Sequence, residues 1–320
     1  MKANSIDQIE TLIRNAGSAW IGCHIFPDGD AIGSTLGLVW GLRQLGKKCV
    51  PACQDSVPSQ FSFLSGVSEF TARTPRDEDL IIVLDCGSLD RIGSLYDPTR
   101  FEQVPVINID HHITNTGFGD VNLVQNKSAA VEIVYALLLR LGAEITKDIA
   151  TCLLSGLSTD TRSFRTSNTT VDTLHVATAL MEAGADLAEI SHQIYDHMPF
   201  STAGLFGRAL GVAKLRGRIA WTEITKAMVR EMNVAQGGAR GVVSFLASTR
   251  EADVGIVFRE NGHGKIYVEM RSVPGVDVSQ VALSFGGGGH PQAAGCSLPG
   301  EIKEIEERVL AAMEESLGKQ

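Results

Sequence analysis

The sequence predicts an α/β protein: an N-terminal domain with a mostly parallel sheet flanked by helices, a helical connector, and a smaller C-terminal α/β domain. Three observations lead there. Short apolar runs rich in Val and Ile alternate with helical patterns through the first half of the chain. Residues from about 170 to 215 then read as helix almost throughout, broken at Gly184 and Pro199. After that, strand patterns resume with interleaved helices. A chain of 320 residues is also near the upper limit for one hydrophobic core. The pattern assigns residues 1–186 to the first domain, 187–215 to the connector and 216–320 to the second domain.

In the first half, residues 19–24, 48–52, 80–85 and 105–110 read as strands, being brief, β-branched and bounded by turn residues. Helical stretches follow at 31–45, 129–141 and 148–157. Strands that are apolar continuously, rather than alternately, are buried on both faces, which argues for a parallel sheet covered by helices. In the second domain, 218–222, 253–258 and 265–271 read as strands, with helices near 225–232, 239–248 and 301–317.

Hydrophobic residues make up 44% and charged residues 20%, an ordinary globular balance. No apolar run approaches the ~20 residues that span a bilayer, and the start carries no signal-like apolar core. A cytoplasmic protein without a membrane partner is therefore expected. The six cysteines are scattered through apolar stretches without a CxxC pair, as befits buried reduced thiols rather than metal ligands. With a net charge of −9 and no Arg/Lys run, the chain lacks the basic stripe that grips long nucleic acid. Short anionic substrates are favoured over long duplexes. A homodimer is compatible with this composition, though no segment specifies one.

Three strand ends finish on metal-capable side chains: Cys23-His24 running into Pro27-Asp28-Gly29-Asp30, Leu84-Asp85, and Ile109-Asp110-His111-His112. Ligands of open parallel sheets bind just beyond the carboxyl ends of strands, so these segments converge at one edge. Each also has a plainer use. Pro27 to Asp30 suits a turn and a helix N-cap, Asp85 suits a turn cap, and the two histidines suit a surface. A fourth acidic element, Asp160, follows the helix ending near Leu157. Asp28, Asp30, Asp85 and Asp160 bring four negative charges beside neutral His24 and His111, a set that two divalent cations balance. Carboxylate and imidazole donors without thiolate suit Mn²⁺, with Mg²⁺, Co²⁺ or Fe²⁺ as substitutes, and paired ions ~3.5–4 Å apart suit phosphoester hydrolysis.

His24-x3-Asp28-x-Asp30, Asp85, Asp110-His111-His112 and Asp160 resemble, in order and spacing, the DHH phosphoesterases. Phe285-Gly286-Gly287-Gly288-Gly289-His290, continuing to Gly295, resembles the glycine-rich signature of the accompanying DHHA1 domain, and Met270-Arg271-Ser272 its preceding strand. The resemblance covers nearly the whole chain. It implies one Mn²⁺ held by His24, Asp28 and Asp85, and a second by Asp30, Asp85, His111 and Asp160, with Asp85 bridging. Asp110 would orient an imidazole, and His112 would lie beside the scissile phosphate as hydrogen-bond or proton donor. Asp85, Asp110 and His112 are thus the expected catalytic residues.

The glycines let backbone N–H groups approach a phosphate, with His290 as a further donor; a flexible turn is the plainer alternative. Arg271 suits a forked pair with a terminal phosphate. Arg271, Ser272, Gly287, Gly288, Gly289 and His290 are the expected substrate contacts. Arg162 and Arg165 suit phosphate contact or ordinary ion pairs equally, and His175, His192 and His197 suit structural or solvated positions. His263 and Lys265 belong to an expected hairpin turn, without a role. One departure from the family is Ala239-Arg240-Gly241, where relatives often carry an acidic residue.

The small two-domain branch of that family implies a metal-dependent oligoribonuclease, acting on two to a few nucleotides, that also dephosphorylates 3′-phosphoadenosine 5′-phosphate. Alternatives are a phosphodiesterase of cyclic dinucleotides or linear dinucleotides, a RecJ-like single-strand exonuclease, and a nucleotide-binding regulator without turnover. The inorganic pyrophosphatase relatives differ in the C-terminal lobe, so the glycine-rich stretch argues against them.

Overall fold

A computed structural model describes residues 5–196, 199–234, 241–260 and 264–318. His197, Arg240 and His263 lie outside the described residues. The chain divides into two compact units, residues 1–197 and 198–320.

The first unit runs α1 (Ser5–Asn15), β1 (Ser18–Cys23), α2 (Gly29–Gln44), β2 (Lys48–Ala52), β3 (Leu80–Leu84), α3 (Pro98–Gln103), β4 (Val106–Asp110), β5 (Val121–Val124), α4 (Ala130–Leu141), α5 (Lys147–Asp160), α6 (Val171–Glu182) and α7 (Leu187–Ser191). Its five strands form one sheet in the order β2-β1-β3-β4-β5, and every pairing is parallel. The central strand β3, Leu-Ile-Ile-Val-Leu, is buried at all five positions, because helices cover both faces of a parallel sheet. The expected strands are all present, and His24 and Asp85 stand one residue beyond the ends of β1 and β3. The edge strand β5, four residues long, is too brief to stand out in the sequence, whereas α1 carries a regular helical pattern, burying Ile9 and Ile13, that the expected elements omitted.

Helices α2 and α5 approach closely enough that glycine is required between them. A Cβ on Gly33 would lie 2.3 Å from the Cys152 carbonyl oxygen, and one on Gly29 2.3 Å from the Thr159 hydroxyl. Helix α5 is longer than its apolar pattern, so Asp160 is its last residue rather than part of a following loop. This helix pair therefore sets Asp30, at the start of α2, against Asp160, at the end of α5.

The second unit runs α8 (Phe200–Gly211), β6 (Lys214–Arg216), β7 (Ile219–Ile224), α9 (Lys226–Glu231), α10 (Val242–Ala247), β8 (Val254–Glu260), β9 (Lys265–Ser272), α11 (Ser279–Ser284), β10 (Gly288–His290), β11 (Ala293–Pro299) and α12 (Ile302–Leu317). Its six strands are ordered β10-β11-β9-β8-β7-β6, antiparallel except for β7 beside β8. The stretch expected to be helical up to residue 215 ends earlier. Lys214–Arg216 is a strand because it pairs with β7 across the tight turn at Gly217-Arg218, and that pairing overrides local propensity. The glycine-rich stretch, expected as a loop, enters the sheet as β10.

All six cysteines are buried and unbridged. Among the described residues no helix is long and apolar enough to cross a membrane.

The tight α2–α5 contact predicts that Gly33→Ala destabilises the protein by about 1–3 kcal/mol, since the helices must part. Gly207 on α8 has nothing within 4 Å of its Cβ position, so Gly207→Ala should be neutral or mildly stabilising. Thermal unfolding of the two variants checks the contrast.

Candidate metal centre

Each acidic side chain at the carboxyl edge of the first sheet is held by a local structural cause. Asp28 is the N-cap of α2, and its Oδ1 accepts from the backbone N–H groups of Asp30 and Ala31, each at 3.1 Å. The helix expected from Ala31 begins two residues earlier, so its capping aspartate is Asp28 and Asp30 lies in its first turn. Asp30 is fully buried and accepts from the N–H groups of Ala130 and Val131. Those are orphan donors at the start of α4, whose own N-cap residue Ala129 has no side-chain cap. A carboxylate suits that end of a helix.

Asp85 adopts φ 50°, a left-handed conformation uncommon outside glycine, as the chain leaves β3. Asp160 occupies the C-terminal end of α5, where the helix dipole disfavours a negative charge. Beyond it Arg162, Ser163 and Phe164 all take positive φ, at 47°, 57° and 64°, forming a left-handed turn of the kind that persists only where surrounding structure enforces it.

These side chains meet in two groups. In one, His24 Nε2 lies 3.8 Å from Asp28 Oδ1 and 3.5 Å from Asp85 Oδ2. In the other, His111 Nε2 lies 3.7 Å from Asp30 Oδ2 and 3.3 Å from Asp160 Oδ2. Asp85 joins them, because its Oδ1 is 3.3 Å from His111 Nε2. Within His24-Asp28-Asp85 and within Asp30-His111-Asp160, the donor atoms lie within 4.8 Å of one another, so each group could hold a metal ion.

The donor set fits cations on three counts. Among the described residues Asp85 Oδ1 is buried and makes no hydrogen bond, with only the longer approach of His111 Nε2 at 3.3 Å and His112 Nδ1 at 3.6 Å, an expensive state for an ionised oxygen unless a cation meets it. Both imidazoles set Nδ1 against a backbone carbonyl, His24 2.7 Å from that of Ile25 and His111 3.2 Å from that of Lys127. Each therefore turns Nε2 toward the carboxylates. The mixture of carboxylate and neutral imidazole is the donor chemistry of hard to borderline divalent ions.

Protonation equilibria agree. Burial, with the neighbouring Asp85 charge, pushes Asp30 up to about 8. Burial and then the Asp30 and Asp28 charges hold Asp160 well above the usual carboxylate range. For His111 burial acts downward, but the carboxylates of Asp85, Asp160 and Asp30 outweigh it and raise the ring to about 11. His24 is raised likewise, burial being outweighed by Asp28 and Asp85.

Asp110 and His112 form a pair beside these groups, and His112 Nδ1 also lies 3.6 Å from Asp85 Oδ1, so that Asp85, Asp110, His111 and His112 make a further cluster of donor atoms. Asp110 Oδ1 accepts from His112 Nδ1–H at 2.7 Å and from the His111 backbone N–H at 2.8 Å. His112 is one-quarter exposed by side chain. Three residues that the sequence motifs do not single out also belong here. Asn108 and Asn115 bond to one another, and Asn115 bonds to Asp110. Arg91 places its guanidinium 3.2 Å from His24 Nδ1. The one sequence signal was Asn108, a polar residue inside an otherwise apolar strand.

In the second unit, register places Arg271 opposite Ala293, and Ala293 opposite His290. Directly paired residues share a face, so Arg271 and His290 stand on one face of the sheet with a small residue between them, roughly 10 Å apart at two strand spacings. Ser272 faces the other way: it is 7% exposed, and its hydroxyl donates to the Val276 carbonyl at 2.6 Å. Strand alternation alone separates it from Arg271. Two of the glycines have a packing cause, since a Cβ would lie 2.2 Å from the Gly295 carbonyl oxygen at Gly287 and 2.4 Å from the Ala293 carbonyl oxygen at Gly289. Gly288 has open space at its Cβ position.

Residues 18–157 match the DHH family, N-terminal domain, and residues 224–319 match the DHHA1 domain. Over 315 residues the chain is 35% identical to the bifunctional oligoribonuclease and PAP phosphatase NrnA of Thermus thermophilus, covering 96% of this chain and 93% of that protein. This chain belongs to the DHH family. An exopolyphosphatase-related protein from Bacteroides fragilis shares its structure with a TM-score of 0.89 at 26% identity, over 98% of this chain and 96% of that one. RecJ from Thermus thermophilus, solved in complex with Mn²⁺, matches in fold with a TM-score of 0.59 at 18% identity, over all of this chain and 55% of that one. The DHH match takes in every residue of the two groups except Asp160, which lies three residues beyond it.

Since His24, His111 and Asp30 are raised, they hold protons at neutral pH in the metal-free protein, and an ion must displace them. Divalent-ion affinity should therefore fall as pH drops from about 11, where His111 begins to hold its proton, and more steeply below about 8, where Asp30 does so too, and binding at pH 7 should release protons. Calorimetric titration in buffers of different ionisation enthalpy measures this; an affinity unchanged between pH 8 and 6 would contradict it.

Proposed function

We propose that this chain is a two-metal phosphoesterase of the cytoplasm that hydrolyses short oligoribonucleotides to mononucleotides. It also removes the 3′-phosphate of 3′-phosphoadenosine 5′-phosphate. The observation that carries the proposal is Asp85, whose two oxygens face the two donor groups separately. That arrangement suits a bridging carboxylate between paired ions. The NrnA relative, similar over nearly its whole length, bears both activities in its name, and this supports the choice of substrates.

In this proposal His24, Asp28 and Asp85 hold one Mn²⁺, and Asp30, Asp85, His111 and Asp160 the other. When bound, the ions polarise the phosphoryl oxygens and acidify the attacking water. The remaining work falls to side chains. His112 keeps its Nδ1 proton on Asp110, so the proton it exchanges with the leaving oxygen is carried at Nε2. Asp110 stabilises the imidazolium form, its own carboxyl held below the usual range by His112 and Asn115 against the upward pull of burial.

Arg271 and His290, on one face of the second sheet, anchor a substrate phosphate, and the open side of Gly288 lets that phosphate reach the backbone. Gly287 and Gly289 maintain the strand pairing that positions His290, and Ser272 secures the turn after β9. An anchor of one cation and one further donor suits a substrate that carries few phosphates. This accords with a net charge of −9, which disfavours long polyanions.

Turnover of a 5′-phosphorylated RNA dinucleotide, 3′-phosphoadenosine 5′-phosphate, a cyclic dinucleotide and a 24-mer, with Mn²⁺ and with chelator, tests the reading. Metal-dependent cleavage of the first two and little of the others is expected; preference for the cyclic compound or the 24-mer would overturn the substrate assignment. Asp85→Asn should abolish both metal retention and turnover. Arg271→Ala should raise KM about 10- to 100-fold, the equivalent of one charge-assisted phosphate contact, and unchanged kinetics would remove the anchor.

A further inference from the structure

A chain of buried amides runs behind the Asp110–His112 pair. Asn108 lies in the middle of β4 and is fully buried, where its apolar neighbours would leave a hydrocarbon side chain unremarked. Both its amide hydrogens are used, with Nδ2 3.3 Å from the Val83 carbonyl and 3.1 Å from the Cys86 carbonyl. Its Oδ1 must then accept, and it does so from Asn115 Nδ2 at 2.8 Å. This fixes which way the Asn115 amide points. The same Nδ2 reaches Asp110 Oδ2 at 2.5 Å and, at the longer distance of 3.2 Å, the Cys86 carbonyl, while Asn115 Oδ1 accepts from the Gly117 N–H at 2.7 Å. Asp110 is thereby gripped at both oxygens, Oδ2 by Asn115 and Oδ1 by the His111 N–H and His112 Nδ1–H.

We infer that Asn115, oriented by Asn108, is a positioning residue for His112: it holds the Asp110 carboxylate in the one rotation that keeps the His112 proton on Nδ1. The inference rests on the proposed role of His112 in phosphoester hydrolysis. Neither asparagine belongs to the groups His24-Asp28-Asp85 or Asp30-His111-Asp160; Asp110 also holds the His111 backbone N–H, so bound metal per chain separates an effect through His112 from one through His111. Without the Asn115 donor, Asp110 Oδ2 loses its fixed partner, and the carboxylate is free to rotate and release the ring.

A second function of Asn115 is local: its acceptance from Gly117 shapes the turn after His112, and aspartate serves such a turn equally well. Asn115→Asp keeps the turn acceptor and replaces the donor to Asp110 by a carboxylate oxygen, so that Asp110 is repelled where it was held. If Asn115 positions His112, Asn115→Asp lowers kcat on the dinucleotide about 10- to 100-fold, with KM and bound manganese per chain near the wild-type values. In a His112→Ala background the same change costs less than about twofold, because residues acting through one another are not additive. Wild-type kcat in Asn115→Asp, or its full penalty on top of His112→Ala, overturns the proposal.

The ring itself supplies a readout independent of turnover. In long-range ¹H–¹⁵N spectra of the Mg²⁺-loaded full chain, the His112 signals, identified by their loss in His112→Ala, should show a protonated Nδ1 in the wild type and a mixed tautomer in Asn115→Asp. An unchanged tautomer in that variant also overturns the proposal. If the wild-type protein fails to cleave the dinucleotide, the proposed function fails, and these spectra still decide the role of Asn115.

Discussion

Helices α2 and α5 meet backbone against side chain and backbone against backbone, at Gly29 and Gly33, with no room for a methyl group. Everything at the metal centre depends on that contact. It sets the first turn of α2, carrying Asp30, against the last turn of α5, carrying Asp160, and the two carboxylates share His111. The packing of two helices through small residues thus assembles an electrostatic arrangement that either helix alone would oppose. Close-packed interiors transmit such constraints because they have no slack to absorb them.

The charges brought together repel, and the fold compensates only in part. Asp28 is steadied by its own helix and Asp30 by the first N–H groups of α4, whereas Asp160 sits at the unfavourable end of α5 and Asp85 leaves an oxygen unmatched. This uneven satisfaction defines where positive charge is wanted. The histidines are already turned by the carbonyls of Ile25 and Lys127, so an arriving ion meets donors in a usable orientation. Protons stand in for the ions at neutral pH, which is why Asp30 and His111 are raised together.

The second unit solves a different problem with an antiparallel sheet. Pairing of β10, β11 and β9 lines up His290, Ala293 and Arg271, giving a face with two cationic or donor groups and little bulk between. The glycines beside them serve the sheet as well as any ligand: β11 lies so near β10 that Gly287 and Gly289 could not carry side chains. One run of residues meets a packing requirement and leaves an approachable surface at Gly288.

The order and spacing of His24, Asp28, Asp30, Asp85, His111 and Asp160, and the parallel character of the first sheet, were legible in the amino-acid sequence. The reason is that strand ends and apolar continuity are local patterns. Sequence also marked Arg271 and His290, since charge and glycine clustering stand out against apolar strands. It did not show that the glycine stretch is a strand, that Lys214–Arg216 is an edge strand, or that Ser272 turns away from Arg271. Pairing with the neighbouring strand decides those, and it leaves no mark in the local pattern of the strand itself. Nor did it show the Asn108–Asn115 bridge, because an asparagine in a strand and another in a turn carry no sign of one another until the backbone brings them within hydrogen-bonding distance. The residue types at the centre were thus written in the sequence; which oxygen of Asp85 meets which histidine, and what holds Asp110 behind His112, came from packing alone.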